Sequence, residues 1–232
     1  MSLNKPYLLH IETSTDVCSV GLSHGDVIES IIEDSNTRAH ASVITVYIQD
    51  LLREAGLKTS DLDGIVLSEG PGSYTSLRVG MSVAKGLCFG LGIPLISINT
   101  LEALALAALK QFPDSDLICP MIDARRMEVY AALYDSKMEC LIDNQPLILE
   151  DSTFDSYLQK GRKIILCGNG AEKTKSLFKG KNIHYGAFKT GASNLVESGY
   201  VRYMNKNFAD LAYFSPNYIK SPNITQAKKK LL

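Results

Sequence analysis

Residues 64–111 read GIVLSEGPGSYTSLRVGMSVAKGLCFGLGIPLISINTLEALALAALKQ. The first seven residues form an apolar run typical of a buried strand, and the glycine-rich turn at 70–75 leads into a helical pattern over 73–92. A second apolar run at 94–99 is followed by another helical pattern over 100–111. This alternation of strands and helices predicts an α/β fold.

The residues before this stretch predict three strands and a helix. The runs at 16–23 and 26–33 flank a polar turn and are expected to form a hairpin that follows a first strand at 7–12. Apolar residues repeat at helical spacing over 40–55 and stop before Gly56, which is a typical C-terminal cap. The strands of this half are therefore expected to form one mixed sheet.

A similar order of elements recurs after residues 112–116, where the pattern is interrupted. Strands are predicted at 116–124, 126–135, 137–145 and 163–168, and helices at 148–160, at 168–179 and within 191–214. The recurrence predicts two lobes with a cleft between them. They are an N-terminal lobe of residues 1–112 and a smaller C-terminal lobe of residues 113–232 with an extended tail.

The composition excludes several classes of protein. Of the 232 residues, 45% are hydrophobic and 21% are charged, which excludes a disordered or fibrous chain. The net charge is −1, whereas proteins that hold nucleic acid by themselves usually carry a basic surplus. The five cysteines lack CxxC spacing, and neither a signal peptide nor a membrane span is predicted. We therefore expect a cytoplasmic protein with free thiols and no membrane contact.

Two polar turns at the ends of predicted strands are candidate phosphate contacts. The turn at 70–75 matches neither GxGxxG nor the P-loop, because Thr75 stands at the third glycine position and GK[ST] is absent. It can bind an anion through backbone amides, or it can simply make a tight turn. The hydroxyl-rich turn after the first strand has the same two alternatives. The candidate cleft residues are Glu12, Thr13, Ser14, Gly70, Gly72 and Ser73.

Other chemical motifs carry less weight. The string GLSHG fits GxSxG, but it lies in a strand–strand turn and not in the strand–turn–helix of a nucleophile elbow, so Ser23 is not expected to be a nucleophile. The four histidines lack metal-binding spacing, and His10 is expected in the core. Asp123 with Arg125 and Arg126 predicts either a phosphate or ion-pair contact or a solvated hairpin turn.

Two predicted helices, 40–55 and 74–91, are apolar over more than one face. In the first, Ile44 and Ile48 belong to one stripe, while Tyr47 lies beside it. A helix on a sheet needs only one apolar stripe, so the surplus indicates either deeper burial or a surface for a partner helix.

Six stretches, in order along nearly the whole chain, resemble one known family. The block at 70–105 is the most specific of them. The others are LLHIETSTDVCSVGL, RAHASVITVYIQDLL, DARRMEVYAALYD, GNGA and YFSPNYIKSP. Together they resemble the TsaB (YeaZ) family of tRNA threonylcarbamoyladenosine biosynthesis proteins. The resemblance implies the two-lobed, duplicated α/β fold of actin, hexokinase and Hsp70, known as the ASKHA fold.

The resemblance implies a non-catalytic subunit. In the pathway of this family, a threonylcarbamoyl group passes from threonylcarbamoyl-AMP to adenosine 37 of tRNAs that read codons beginning with A. The transferase is a catalytic paralogue, TsaD, which the family member binds and activates as a heterodimer. A TsaE-type ATPase joins the pair, tRNA is bound only within the complex, and the isolated chain could form a homodimer.

The same resemblance places the partner surface on the first two helices of the N-terminal lobe. Its candidate contacts are His40, Val43, Tyr47, Asp50, Arg78 and Ser82. No catalytic residue, metal or cofactor is implied, because Thr100 and Leu104 stand where the catalytic paralogue has metal-binding histidines. Departures from the family pattern at Glu12, Tyr74 and Ser76 weaken the expectation of a nucleotide in the cleft. The alternative is an ATP-binding kinase or ATPase of the same fold, which would need that cleft.

Overall fold

The structure, a computed structural model, describes residues 5–35 and 40–220, and only the backbone of His40. Two five-stranded mixed sheets with flanking helices form the molecule, as the two-lobed α/β prediction requires. The extended tail predicted for 215–232 is described only as far as residue 220, and the rest of it lies outside the described residues.

The first sheet has the strand order β3-β2-β1-β4-β5. Its strands are β1 (Tyr7–Glu12), β2 (Cys18–His24), β3 (Val27–Asp34), β4 (Gly64–Gly70) and β5 (Leu95–Asn99). The central strand β1 is antiparallel to β2 and parallel to β4. Because alternate residues of a strand face opposite sides, Leu9 packs into one core and Leu8 into another. The sheet is therefore covered on both faces.

The second sheet has the strand order β10-β9-β6-β7-β8. Its strands are β6 (Leu117–Asp123), β7 (Glu128–Asp135), β8 (Cys140–Ile148), β9 (Ile164–Cys167) and β10 (Ile183–Gly186). As in the first sheet, the first strand of the set is central, with an antiparallel neighbour on one side and a parallel one on the other. This common topology supports the predicted duplication.

In the part of the chain that the structure describes, four α-helices cover the two sheets. They are α1 (His40–Glu54), α2 (Tyr74–Leu91), α3 (Thr100–Gln111) and α4 (Val196–Met204). Helices α1 and α2 share one hydrophobic core on the first sheet. Helix α3 begins where the Asn99 side chain accepts hydrogen bonds from the Leu101 and Glu102 amides. It packs mainly on the second sheet, so it joins the two lobes.

Two helices predicted in the second half are wrong. Residues 148–160 form consecutive turns with a short 3-10 helix at Gln159–Gly161, and residues 168–179 form turns around Glu172–Thr174. Side-chain oxygens compete with the helical pattern here, because the Thr153 hydroxyl accepts the Glu150 amide at 2.8 Å. Strand β10 was not predicted, since it is short and carries a polar residue at its centre.

The chain crosses back to the first sheet near its C-terminus. Leu195 and Tyr203 pack with Leu8 and Val66 on the face opposite α1 and α2. The Arg202 guanidinium also donates to Glu102 on α3. The division at residue 112 stays a prediction, and these contacts attach residues 192–204 to the sheet of the first lobe. The sequence order alone predicts that they belong to the second lobe.

The five cysteines are free thiols, as the sequence predicts. Cys18, Cys88, Cys119 and Cys167 are buried and Cys140 is exposed, and all five thiols are free. Burial raises the pKa of the Cys18 thiol to about 11, so this thiol is unreactive at neutral pH. Within residues 5–35 and 40–220, no helix is both long and apolar enough to cross a membrane.

His10 lies in the core as predicted, and its burial has a consequence for pH. Its Nε2 is 2.8 Å from the Ser23 hydroxyl, and burial lowers the pKa of His10 to about 3. An unfolded histidine has a pKa near 6.5, so protons bind the unfolded chain more strongly. The contribution of His10 to the free energy of unfolding therefore decreases as pH falls from about 6.5 towards 3. At about pH 5 the free energy of unfolding is lower than at neutral pH by about 2 kcal/mol because of His10.

We expect His10→Leu to flatten this pH dependence. Urea unfolding of both proteins at about pH 7.5 and about pH 5 measures it, because groups common to both cancel in the difference. The Ser23 hydroxyl keeps a partner in the variant, since it also donates to the Gly25 carbonyl at 3.2 Å. An unchanged difference between the two pH values would show that folding does not lower the pKa of His10.

Candidate functional site

A cavity of about 560 Å³ lies between the two lobes, at the carboxyl ends of β1, β4 and β6. In α/β folds, ligands commonly bind at this edge of the sheet. The turn after β1 and the turn between β4 and α2 form the wall on the side of the first lobe. The turn after β6, with Asn169, forms the opposite wall.

The two turns of the first lobe contact each other through their backbones. The Ser73 amide donates to the Ser14 carbonyl at 2.7 Å, and the Ser14 amide donates to the Glu12 carboxylate at 2.6 Å. A Cβ on Gly72 would lie 2.2 Å from the Ser14 carbonyl oxygen, so the glycine is needed for this approach. These two amides therefore satisfy groups of the protein itself and are not free to bind a phosphate.

The six candidate cleft residues are close in space, but their side chains do not all face the cavity. Ser14, Gly72 and Ser73 line it. Glu12 is buried beneath it, and this burial raises the pKa of its carboxyl group. The Thr13 hydroxyl donates to the Ser76 carbonyl at 2.9 Å and packs against α2. A role for these residues in nucleotide binding stays a prediction.

The wall on the side of the second lobe is a hairpin turn between β6 and β7. The Glu128 amide donates to the Arg125 carbonyl at 3.2 Å, and Arg125 and Arg126 both adopt positive φ. The Asp123 carboxylate pairs with Lys173 at 2.5 Å and also accepts the Arg125 amide. Of the two alternatives, the structure thus shows the hairpin turn, with the Asp123 ion pair made to a lysine from a different segment.

A second candidate surface is the outer face of α1 and α2. A groove of about 550 Å³ runs between the two helices, and a hollow of about 380 Å³ lies beside it. The groove is bounded mainly by apolar side chains such as Leu52 and Leu87, with Thr45 at its rim. Val83 lines both depressions, so they form one continuous surface, which we call the helix-pair face.

The predicted interface residues divide between this face and its edges. Arg78 and Ser82 line the hollow, and the Arg78 guanidinium lies 5.2 Å from the centre of the Tyr74 ring. Val43 and Tyr47 pack against the core instead, and the Tyr47 hydroxyl donates to Asp34 at 2.9 Å. The two remaining interface candidates are Asp50 and His40. The Asp50 carboxylate pairs with Arg53 at 2.7 Å, and the His40 side chain lies outside the described residues.

Sequence reasoning missed several residues of the helix-pair face. They are Ala41, Thr45, Gln49, Val79, Val83 and Leu87. Their spacing of four residues within each helix was visible, but so was a second apolar spacing through Val43 and Tyr47. Only the packing of α1 on the sheet decides which of the two faces is exposed.

The positions compared with metal-binding histidines lie in the interior. Thr100 and Leu104 are both fully buried, and Leu104 belongs to the core between α3 and the second sheet. Among the described residues, no group of three or more His, Cys, Asp or Glu side chains is placed to hold a metal ion.

Comparison with known proteins gives a consistent family. Residues 27–231 match the family described as TsaD, tRNA N6-adenosine threonylcarbamoyltransferase. The tRNA threonylcarbamoyladenosine biosynthesis protein TsaB of Bacillus subtilis is 28% identical over 92% of this chain and 93% of its own. The TsaB of Buchnera aphidicola subsp. Schizaphis graminum is 30% identical over 72% of this chain and 80% of its own. YeaZ from Pseudomonas aeruginosa superposes with a TM-score of 0.78 at 25% identity, covering 92% of this chain and 99% of that one.

Proposed function

Because the chain belongs to the TsaB (YeaZ) members of the tRNA N6-adenosine threonylcarbamoyltransferase family and takes part in threonylcarbamoyladenosine modification of tRNA, we propose that it is a non-catalytic subunit. In this role it binds a TsaD-type catalytic paralogue and activates transfer of threonylcarbamoyl from threonylcarbamoyl-AMP to adenosine 37. The partner supplies the reacting groups. The TsaE-type ATPase and tRNA join only the assembled pair.

The observation that carries this proposal is the exposed apolar surface of the helix-pair face. The lining of its groove is mostly apolar, although both helices already bury a full stripe against the sheet. A helix that needs only the sheet as a neighbour exposes polar residues on its outer side. A partner with a similar helix pair would remove the lining of this groove from water, and a stable contact of this kind buries about 1,200–2,000 Å² in total.

The backbone of the cleft supports the non-catalytic reading. In phosphate-binding turns, free amides point at the ligand, and here the Ser14 and Ser73 amides are already bonded within the protein. The Glu12 side chain does not line the cavity. Its carboxylate is buried and accepts a hydrogen bond from the Ser14 amide. The competing kinase or ATPase requires these groups to face a nucleotide.

We expect Glu12→Gln to distinguish a non-catalytic subunit from a kinase or ATPase. Gln keeps an oxygen that can accept the Ser14 amide and removes a buried charge, so the free energy of unfolding at about pH 8 should not decrease. Activation of the partner should also be unchanged. Urea unfolding and a transfer assay measure both quantities. If the chain alone turns over ATP and Glu12→Gln abolishes that turnover, the enzyme reading is correct and ours is wrong.

The binding step can be tested by itself. The full chain is mixed with its cognate TsaD-type protein, and the mixture is analysed by sedimentation velocity and by titration calorimetry. We expect a 1:1 complex to form in place of any homodimer of the isolated chain. Two species that sediment independently at micromolar concentrations would contradict the proposal.

A further inference from the structure

The last described residues, 214–220, cross the mouth of the cleft, and we call them the strap. The strap begins on the first lobe, where the Lys85 ammonium on α2 donates to the Phe214 carbonyl at 3.2 Å. The Phe214 ring packs against the core shared by α1 and α2. The start of the strap is therefore fixed to α2.

The middle of the strap contacts the turn that forms one wall of the cavity. The Asn217 amide donates to the Glu69 carbonyl at 2.8 Å, at the end of β4. A Cβ on Gly70 would lie 3.0 Å from the Asn217 carbonyl oxygen, so a side chain there would press on the strap. The ring of Tyr218 lies 4.6 Å from that of Tyr74, the first residue of α2.

The end of the strap reaches the other lobe. The Lys220 ammonium lies 2.6 Å from both carboxylate oxygens of Glu128, which stands at the start of β7 in the second sheet. The Glu128 side chain is only 21% exposed, so the pair is partly shielded from water. One short segment thus contacts both walls of the cavity, and its residues 217–220 also line it.

We propose that the strap is a latch that holds the two lobes closed over the cleft. The Lys220–Glu128 ion pair fastens the end of the strap to the second lobe. When the pair breaks, the strap is released from the second lobe and the cleft can open. The strap also orients Tyr74, whose other neighbour is the Arg78 guanidinium in the hollow of the helix-pair face. Closure of the cleft is thereby coupled to the surface that, under the proposed function, receives the partner.

Hydrogen exchange of the full chain, measured by mass spectrometry without any partner, tests the latch. We expect Lys220→Glu to accelerate exchange about threefold to tenfold in peptides covering 69–78 and 123–130, because a partly exposed ion pair contributes a modest local stability. Exchanging the charges in the double variant Glu128→Lys/Lys220→Glu should restore protection. Lys5→Glu is the control, since it removes a lysine–carboxylate pair with Asp26 at 2.9 Å, beside the β2–β3 turn and away from the strap.

The outcomes separate the latch from the proposed function. Unchanged exchange in Lys220→Glu, or a double variant that stays as fast as the single one, overturns the latch. Acceleration of the same peptides by Lys5→Glu overturns it as well, because it would show a general loss of stability. Since this measurement needs no partner, failure of the wild-type chain to bind a TsaD-type protein would reject the proposed function without affecting the latch.

Coupling to the helix-pair face has its own readout. Tyr218→Ala removes the ring that packs on Tyr74 and leaves every residue of the groove in place. We expect it to weaken partner binding about threefold to tenfold in titration calorimetry. An affinity equal to that of the wild type would show that the strap does not influence the face.

Discussion

Thr45→Arg is expected to weaken the complex with the catalytic partner strongly. Thr45 is exposed on α1 at the rim of the groove, and an arginine there would place a charged chain where a partner helix must pack. Residues at the centre of an interface typically cost about 2–4 kcal/mol when disrupted, which corresponds to a loss of affinity of about 30-fold to 1,000-fold. The stability of the isolated chain should not change, because arginine is a good helix former.

Val46→Arg is the matched control for this prediction. Val46 is the next residue on α1 and is 48% exposed, but it lines neither the groove nor the hollow. We expect its complex to form with nearly wild-type affinity in the same calorimetric titration. If Val46→Arg disrupts the complex and Thr45→Arg does not, the partner binds the opposite edge of α1, on the side of Tyr47.

Tyr47 itself is a poor probe of the interface. Its hydroxyl donates to Asp34, and this hydrogen bond, with a smaller contribution from burial, raises the pKa of its phenol. An acidic substitution would place two carboxylates side by side at the edge of the first sheet. Loss of the complex in Tyr47→Asp could then result from damage to the fold, whereas Thr45 has no such contact among the described residues.

Gly72→Ala is expected to cause a large loss of stability. The added Cβ would meet the Ser14 carbonyl oxygen at 2.2 Å and would separate the two backbone turns. The Ser73–Ser14 hydrogen bond would be lost with the contact, so we expect a decrease of about 2–4 kcal/mol in the free energy of unfolding. Urea unfolding measures it.

Gly86→Ala provides the control. Gly86 is exposed within α2, and a Cβ there meets nothing within 4 Å. Alanine is a better helix former than glycine, so this variant should gain about 0.5–1 kcal/mol. A Gly72→Ala protein as stable as the wild type would contradict the close approach of the two turns. It would reopen the interpretation of the turn at 70–75 as a phosphate site.

The fold could be predicted where the sequence carries a strong period. Strand β4 and helices α1 and α2 combine apolar patterns with glycine-containing boundaries, strand β1 is a short apolar run after Pro6, and all four are found as expected. The segment 148–160 was mistaken for a helix because its apolar residues have helical spacing. Its serine, threonine and aspartate side chains favour turns, and the buried Phe154 ring holds these turns against the second sheet.

The meeting of the two polar turns could be predicted from the sequence, but the directions of their side chains could not. The two polar turns do meet at the cleft, yet the sequence gives no sign that Glu12 turns inward to the Ser14 amide. Likewise, both stripes of α1 look suitable for a partner, and only contact with Asp34 and the core places Tyr47 at the edge. The strap was beyond prediction, because the pair Lys220–Glu128 joins residues 92 positions apart.

The most direct test of the account is a transfer assay with the full chain. Purified TsaD-type protein, threonylcarbamoyl-AMP and unmodified tRNA are held constant while this chain is added in increasing amounts. We predict that threonylcarbamoyl transfer to adenosine 37 increases with the added chain and stops increasing at a 1:1 ratio, and that Thr45→Arg gives a much smaller increase at the same concentrations. Transfer at the same rate with and without the chain would contradict its role as an activating subunit.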